Sequence, residues 1–335
     1  MKALFATILS CSLLLLSGCG SNSTTSSNNQ PAGKSGGTFK VALITPGPVD
    51  DAGWNAMAYD ALQGIKTDLG AEVNNQEASG APQIRDAMRT YAQQGYNLVI
   101  GHGFEFNDPA VQVGKDFPKT VFVTSSGGGS SANVGAFRFY LEQGFYLAGM
   151  MAASMSKTGA VAMIGGDDVP SIRSTFKAFR AGAIAVNPNI KVIEKFTGDG
   201  KDVAAAKQAA LSAIDQGADF LIHQANNAGQ GVFNAAKEKG VYAFGANLNQ
   251  NDNDSGAVIA SAIIVAKPAF VDLATKVKNG TYKGGIELVG MKEKAIDFVV
   301  NPKLADKISP EVSKKIEAAK ADILSGKLQV PKDSF

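Results

Sequence analysis

Short apolar runs alternate with amphipathic segments along the chain from Phe39 onward. The run FKVALIT at 39–45 is rich in β-forming residues, and AMAYDALQGIKTDLG at 56–70 has apolar residues at helical spacing. Further apolar runs follow at 98–103, 120–125, 133–139, 160–166, 190–196, 219–224 and 241–247. Strands that alternate with helices predict parallel sheets built from βαβ units.

The alternation forms two consecutive series of similar length, followed by a shorter tail. Two series predict two similar α/β lobes, the first over 38–140 plus about 247–282 and the second over 141–246 plus about 283–335. Ligands of open α/β sheets bind beyond the carboxyl ends of the strands. The predicted cleft is therefore formed by the loops at 46–55, 103–109, 125–131, 166–172, 224–230 and 246–254.

The first 37 residues lack this alternation. Lys2 precedes an apolar run that is too short to span a bilayer, so residues 1–18 are predicted to be a signal peptide. The sequence LSGC resembles the lipobox of bacterial lipoproteins, which implies that Cys19 is lipidated; the alternative is an ordinary signal peptide. Residues 20–37 are small and polar and predict a flexible tether. An anchor, a tether and a globular body predict a lipid-anchored protein outside the cytoplasm.

The composition excludes several classes of protein. Loss of the signal peptide would leave 31 basic against 30 acidic side chains, which gives no electrostatic footprint for nucleic acid. The chain has two histidines and no HExxH, GxSxG or Walker-type motif. NQNDNDSG at 249–256 lacks the glutamate that a calcium loop requires, so we interpret it as a polar turn. We therefore expect no enzyme activity, no metal and no cofactor, and we expect a monomer.

The predicted cleft loops combine aromatic rings with hydrogen-bond acceptors. They contain Asp50, Asp51, Trp54, Asn55, Phe104, Glu105, Phe106, Asp108, Asp167, Asp168, Asn226, Asn227, Asn247 and Asn249. Such a set suits a planar, nitrogen-rich ligand, because aromatic side chains stack on bases and carboxylates accept hydrogen bonds from ring N–H groups. Trp54, the only tryptophan, lies in a Gly/Pro/Asp loop, so we favour stacking over packing for it. Asp51 precedes a predicted helix, and ligand binding and helix capping explain it equally well.

Four segments of the chain carry motifs of a known family. They are DDAGWN at 50–55, LEQGFYLAGMMAA at 141–153, IGGDDVPSIRSTFKAFRAGA at 164–183 and NAGQGVFNAAKEKGVYAFGANLNQ at 227–250. These segments resemble the basic membrane protein family of lipoproteins, which includes purine-nucleoside receptors of ABC importers. The resemblance implies a type I periplasmic binding protein, in which two Rossmann-like lobes are joined by three crossovers around a ligand cleft. It also implies a membrane permease as partner and a purine nucleobase or nucleoside as ligand.

The resemblance further implies roles for single residues. In the nucleoside receptors the base is clamped between aromatic side chains of the two lobes. Trp54 would form one face here, and Phe176 or a neighbour is the candidate for the other. Asp51 and Asp108 would contact the edge of the base.

The chain departs from the family pattern where that pattern contacts ribose. Asn247 stands where the family has an aspartate, and Ile264 stands where it has a lysine, with Lys267 one helical turn later. These departures favour a free nucleobase over a ribonucleoside. A binding protein of the same fold for a sugar or a furanose-like signal is an alternative, because sugar sites also stack on tryptophan. A nucleoside hydrolase is a further alternative, which the absence of a nucleophile–base pair disfavours.

Overall fold

The computed structural model describes residues 37–51 and 53–334 of the protein. The predicted signal peptide, Cys19 and the predicted tether up to residue 36 lie outside the described residues. Within the described part, every helix is too short or too polar to cross a membrane.

The described residues contain twelve strands, nine α-helices and three short 3₁₀ helices. The strands are β1 (Lys40–Thr45), β2 (Glu72–Glu77), β3 (Leu98–Gly101), β4 (Val121–Thr124), β5 (Val134–Phe139), β6 (Ala160–Gly165), β7 (Lys191–Phe196), β8 (Phe220–Gln224), β9 (Tyr242–Asn247), β10 (Val258–Ile264), β11 (Gly285–Val289) and β12 (Ile296–Val300). The helices are α1 (Trp54–Leu69), α2 (Ala81–Gln93), α3 (Asn107–Gly114), α4 (Glu142–Met155), α5 (Pro170–Val186), α6 (Val203–Asp215), α7 (Gly229–Lys239), α8 (Ala266–Lys278) and α9 (Pro310–Leu324).

The strands form two six-stranded sheets, one in each lobe. The first sheet has the order β11-β5-β4-β3-β1-β2 and the second has the order β12-β10-β9-β8-β6-β7. All neighbouring strands are parallel except β12, which runs antiparallel to β10. The predicted fold class, with two parallel α/β lobes of the type I periplasmic binding protein, is therefore confirmed. The apolar pattern did not predict β2, because EVNNQE is a polar, largely exposed edge strand.

The chain passes between the two lobes three times. The passages lie between β5 and α4, between β10 and α8, and between β11 and β12. The predicted lobe boundaries are wrong in the tail: β10 pairs with β9 in the second sheet, and β11 pairs with β5 in the first. The residue pattern along a strand does not show which other strand it pairs with, so the sequence pattern placed both strands in the wrong lobe.

Two glycines allow α4 to lie directly against α5 in the second lobe. A Cβ on Gly149 would lie 2.0 Å from the Phe179 carbonyl oxygen, and one on Gly182 would lie 2.0 Å from the Tyr146 carbonyl oxygen. No side chain fits at such distances, which explains Gly149 in the segment LEQGFYLAGMMAA. The close contact fixes the position of α5, whose first turns face the cleft between the lobes.

A buried ion pair spans the first passage between the lobes. Arg138 at the end of β5 contacts the carboxylate of Glu142 at 2.5 Å, and the Ser174 hydroxyl donates to the same carboxylate at 2.5 Å. Burial raises the pKa of Glu142, while the charge of Arg138 opposes that rise. The C-terminal segment covers this region, because the Tyr140 hydroxyl donates to the carbonyl of Val330.

Candidate functional site

A cavity of about 480 Å³ lies between the lobes, at the carboxyl ends of their strands. This volume is within the range of about 300–1,000 Å³ that is usual for small-molecule sites. The first lobe contributes, among others, Trp54, Asn55, Phe104, Glu105, Ser126 and Phe139. The second lobe contributes, among others, Asp167, Ile172, Asp199, Lys201, Asn226 and Asn247.

The ring of Trp54 is held in the cavity wall by His102. The two rings are stacked with centroids 3.9 Å apart and planes inclined by 20°. His102 Nε2–H donates to the Trp54 carbonyl at 2.9 Å, and the Ser125 hydroxyl donates to His102 Nδ1 at 2.7 Å. Burial lowers the pKa of His102 to about 3, so the imidazole is neutral near pH 7. The imidazole thus covers one face of the indole, which also lines the cavity.

Asp51 caps the helix that carries Trp54. Its Oδ1 accepts hydrogen bonds from the backbone N–H groups of Gly53 at 3.0 Å and Ala56 at 2.9 Å, and its Oδ2 accepts one from Asn55 at 3.0 Å. These bonds satisfy N–H groups that have no partner within the helix. Asp51 is not among the residues that line the 480 Å³ cavity. The structure therefore favours the capping interpretation, in which Asp51 fixes the first turn that presents Trp54 and Asn55.

Two buried amide oxygens in the cavity wall lack hydrogen-bond partners. Asn55 in the first lobe is 4% exposed and Asn247 in the second is 2% exposed. Asn247 Nδ2 donates to Gln224 Oε1 at 2.9 Å, but the Oδ1 atoms of both asparagines have no partner. A buried acceptor without a partner costs about 1–3 kcal/mol. Ligand N–H or O–H groups at these two positions would remove that cost, so the pair indicates a ligand that donates to both lobes.

Strained backbone is concentrated at the same cavity. Four non-glycine residues in the described part have positive φ, and three of them line the cavity: Ser126 at 134°, Asn226 at 42° and Asn247 at 69°. Positive φ is sterically unfavourable for residues with a Cβ and is retained mainly where the surrounding structure imposes it. Asparagine adopts the left-handed region more readily than other residues with a Cβ, so the strongest strain at the cavity is that of Ser126.

The loop after β7 brings charge into the cavity. Lys201 in this loop reaches the first lobe, where its Nζ lies 3.6 Å from the point that a Cβ on Gly47 would occupy. Glu105 and Asp167 are exposed to solvent, but the surrounding atoms partly desolvate them and raise their pKa values. The negative charge of a neighbouring carboxylate adds to each rise, Asp167 for Glu105 and Asp199 for Asp167. Lys201 opposes the rise at Asp167. Across residues 37–51 and 53–334, no three His, Cys, Asp or Glu side chains are placed to hold a metal ion.

Half of the ten predicted ligand-binding residues line the cavity. They are Trp54, Asn55, Phe104, Asn226 and Asn247. The other five are outside it, and Asp51 among them caps α1, as described above. Asp50 is exposed in its loop, Asp108 is exposed in the first turn of α3, and Asp168 is exposed and forms an ion pair with Arg173.

Phe176 does not form the second face of an aromatic clamp in this structure. It is 1% exposed and packs in the core, with its ring centroid 5.4 Å from that of Phe196. The aromatic side chains of the described residues that line the cavity are Trp54, Phe104 and Phe139, and all three belong to the first lobe. The second lobe faces them with aliphatic, amide and charged groups instead.

Asp199 and Lys201 were absent from the predicted site. Both lie in the loop after β7, which was not among the loops selected from the sequence, although it also follows the carboxyl end of a parallel strand. Glu105 and Asp167 belong to the predicted cleft loops but are not among the ten predicted ligand-binding residues. Ligands of parallel sheets bind beyond the carboxyl ends of the strands, so the position of this loop is the sequence signal that points to Asp199 and Lys201.

The fold and the cleft define a class of protein. Two parallel α/β lobes, joined by three passages around a cavity with unsatisfied acceptors on both walls, are the features of a two-lobed solute-binding protein. The sequence pattern of the family described as "ABC transporter substrate-binding protein PnrA-like" matches residues 38–334, and the chain belongs to this family. The family is one of solute-binding proteins, and its partners are a solute and the permease of a transporter.

Individual relatives agree with this assignment. The ABC transporter nucleoside-binding protein BmpA of Lactococcus lactis subsp. cremoris is 29% identical over 344 residues, which cover 96% of this chain and 95% of that protein. A purine-binding protein of Brucella abortus is 28% identical over 293 residues, which cover 87% of this chain and 82% of that protein. The crystal structure of an ABC transporter solute-binding protein from Aeropyrum pernix has the same fold, with a TM-score of 0.80, 20% identity and coverage of 88% and 94%.

Proposed function

We propose that the protein is a lipid-anchored receptor of an ABC importer that binds a purine nucleobase or nucleoside outside the cytoplasm and presents it to the permease. The free nucleobase is the preferred ligand. The observation that carries the proposal is the cavity wall itself, in which Trp54 offers a planar face beside the unpartnered oxygens of Asn55 and Asn247. A purine supplies both a π-face and N–H donors.

The names of two relatives support the choice of ligand. The Lactococcus lactis protein is named as nucleoside-binding and the Brucella abortus protein as purine-binding. The preference for the base rests on the two departures at the ribose contacts. Asn247 and Ile264 both line the cavity, so neither of these positions brings a charged group to a sugar hydroxyl.

The proposed mechanism is closure of the lobes around the ligand. Loops of the two lobes already meet at the edge of the cleft, where a Cβ on Gly53 would lie 3.5 Å from the Cα of Asn226. A ligand that contacts Asn55 in one lobe and Asn247 in the other stabilises only the arrangement that brings both close. The closed form would then be the one that the permease recognises. No covalent step is involved.

The lipid anchor is proposed from the sequence. LSGC ends at Cys19, and residues 20–37 supply the predicted tether. Lipidation of Cys19 would hold the receptor at the membrane surface, close to the permease.

A ligand panel tests the proposed function. The purified protein is heated with adenine, guanine, hypoxanthine, their ribonucleosides and a set of sugars, and its unfolding temperature is measured. A ligand present at about 100 times its dissociation constant adds about 2.7 kcal/mol to the free energy of unfolding, which gives a clear shift. We expect purines to stabilise the protein and to remain intact by chromatography. Stabilisation by sugars alone would indicate a sugar receptor, and release of base from a nucleoside would indicate a hydrolase.

A further inference from the structure

The cavity contains more negative than positive side chains. Glu105 follows β3, Asp167 follows β6 and Asp199 follows β7, so the carboxylates come from both lobes. Lys201 is the only basic side chain among the described residues that line this space. None of the three carboxylates forms an ion pair within the described part of the chain. Closing the lobes around an uncharged ligand therefore brings three negative charges together against the single positive charge of Lys201.

Glu105 and Asp167 line the same cavity from opposite lobes, so their negative charges repel each other. Partial desolvation raises the pKa of Glu105, and the charge of Asp167 adds to that rise. Asp199 acts in the same direction on Asp167, and Lys201 acts against it. A positive charge placed between Glu105 and Asp167 would attract both carboxylates and favour their ionised forms.

The unpartnered amides point to the same kind of ligand independently of charge. The oxygens of Asn55 and Asn247 are buried and accept no hydrogen bond from the protein. The carboxylates also only accept when ionised, so donors are what the cavity requires most. Trp54 adds an aromatic face, and tryptophan is the side chain that best attracts a cation over its ring.

A bound metal ion does not explain the acidic groups. No cluster of three suitable ligands is present in residues 37–51 and 53–334. The volume of about 480 Å³ is also far larger than a single ion requires. The cavity therefore has room for an organic molecule beside these carboxylates.

We propose that the cleft selects its ligand by charge, so that a cationic planar heterocycle binds more tightly than its neutral counterpart and a phosphorylated one is rejected. The carboxylates of Glu105 and Asp167 are the selecting groups. This inference rests on the proposed function in one respect, that the ligand occupies this cleft, but it does not require the ligand to be a purine.

A pair of isomers tests the charge directly. At pH 7, 1-methyladenosine carries a positive charge, whereas N6-methyladenosine has the same methyl group and is neutral. We expect calorimetric titration to show at least about 10-fold tighter binding of the cation, because hydrogen bonds to a charged partner are roughly twice as strong as neutral ones. Adenosine 5′-monophosphate should bind at least about 100-fold more weakly than adenosine, since it places a doubly negative group near the carboxylates.

Two variants assign the selectivity to the proposed residues. The double variant Glu105→Gln and Asp167→Asn keeps the shape of the cavity and should reduce the preference for the cation to less than about 2-fold. Asp168→Asn is the matched control, because this neighbouring carboxylate lies outside the cavity and forms an ion pair with Arg173. It should leave the preference unchanged.

A second, smaller pair separates this inference from the proposed function. The cation 1-methylnicotinamide and neutral N-methylnicotinamide are titrated in the same way. If adenosine binds and neither pair shows a preference for the cation, charge selection is wrong and the purine receptor stands. If only the nicotinamide cation binds, charge selection stands and the purine ligand is wrong. Equal binding within both pairs, or no binding in either, overturns the inference.

Discussion

Replacement of Trp54 by alanine is the most informative single change in the cleft. The indole is stacked on His102 at 3.9 Å and lies edge-on to Phe139 at 6.5 Å, so it is held in place before any ligand arrives. A rigid planar face needs little ordering when a ring stacks on it. The loss on truncation should therefore reflect the stacking contact itself.

The size of the effect follows from the contacts of the ring. Stacking of a base on an aromatic side chain contributes about 1–3 kcal/mol, which corresponds to a roughly 5- to 150-fold increase in the dissociation constant of Trp54→Ala. The variant should also unfold more easily, by about 1–3 kcal/mol, because the half-buried ring leaves a gap against His102 and Phe139. The variant Trp54→Phe keeps an aromatic ring on His102 and should retain most of the affinity.

Two assays separate the effects of Trp54→Ala on binding and on folding. Urea unfolding without ligand gives the change in stability, and calorimetric titration under conditions where each variant is fully folded gives the affinity. In the wild type, Trp54 is the only tryptophan, so a change in its fluorescence on titration reports on the cleft directly. Unchanged affinity of a folded Trp54→Ala protein would refute the stacking role and leave Trp54 as a packing residue.

Three further changes test other parts of the account. Asn55→Ala removes a buried oxygen that has no partner, so the affinity should fall about 5- to 10-fold while stability without ligand is kept or rises; an unchanged affinity contradicts the proposed contact. Cys19→Ser should release the protein to the soluble fraction or leave its signal peptide uncleaved, and a membrane-bound product of mature size contradicts the anchor. Burial lowers the pKa of His102 to about 3 and of His223 to about 4, below the ordinary 6.5. As the pH falls below 6.5, only the unfolded chain takes up these protons, so the free energy of unfolding should drop by up to about 1.4 kcal/mol per pH unit for each histidine. Urea unfolding between pH 7 and 5 should show that the free energy of unfolding of His223→Asn depends less steeply on pH than that of the wild type. An equal dependence would contradict the lowered pKa of His223.

The sequence predicted the fold well where burial left a pattern. β1, β3 and β6 are buried parallel strands, and each appears as a continuous apolar run. β2 lacks such a run because it is an exposed edge strand, and its pairing with β1 is a tertiary contact that local sequence does not encode. The pairings of the tail strands β10 and β11 are also tertiary contacts that local sequence does not encode, and both strands lie in the lobe opposite to the predicted one.

The site was predicted in part, because loop position is easier to infer than the direction of a side chain. Asn55 and Asn247 were found from their position after strands and from the family motifs, and both line the cavity. Asp51 and Asp108 lie in the predicted loops, but helix geometry turns the first toward backbone N–H groups and leaves the second exposed. Phe176 lies on the core side of α5, a choice that depends on how α5 packs against its sheet.

A crystal structure of the protein with the purine that stabilises it best would show directly how the cleft holds its ligand. We expect a planar ring in the cleft, stacked on the face of Trp54 opposite His102. We also expect ligand donors about 2.7–3.2 Å from the Oδ1 atoms of Asn55 and Asn247, which are normal hydrogen-bond distances. A ligand bound outside this cleft, or one that leaves both oxygens without a partner, would contradict the proposed site.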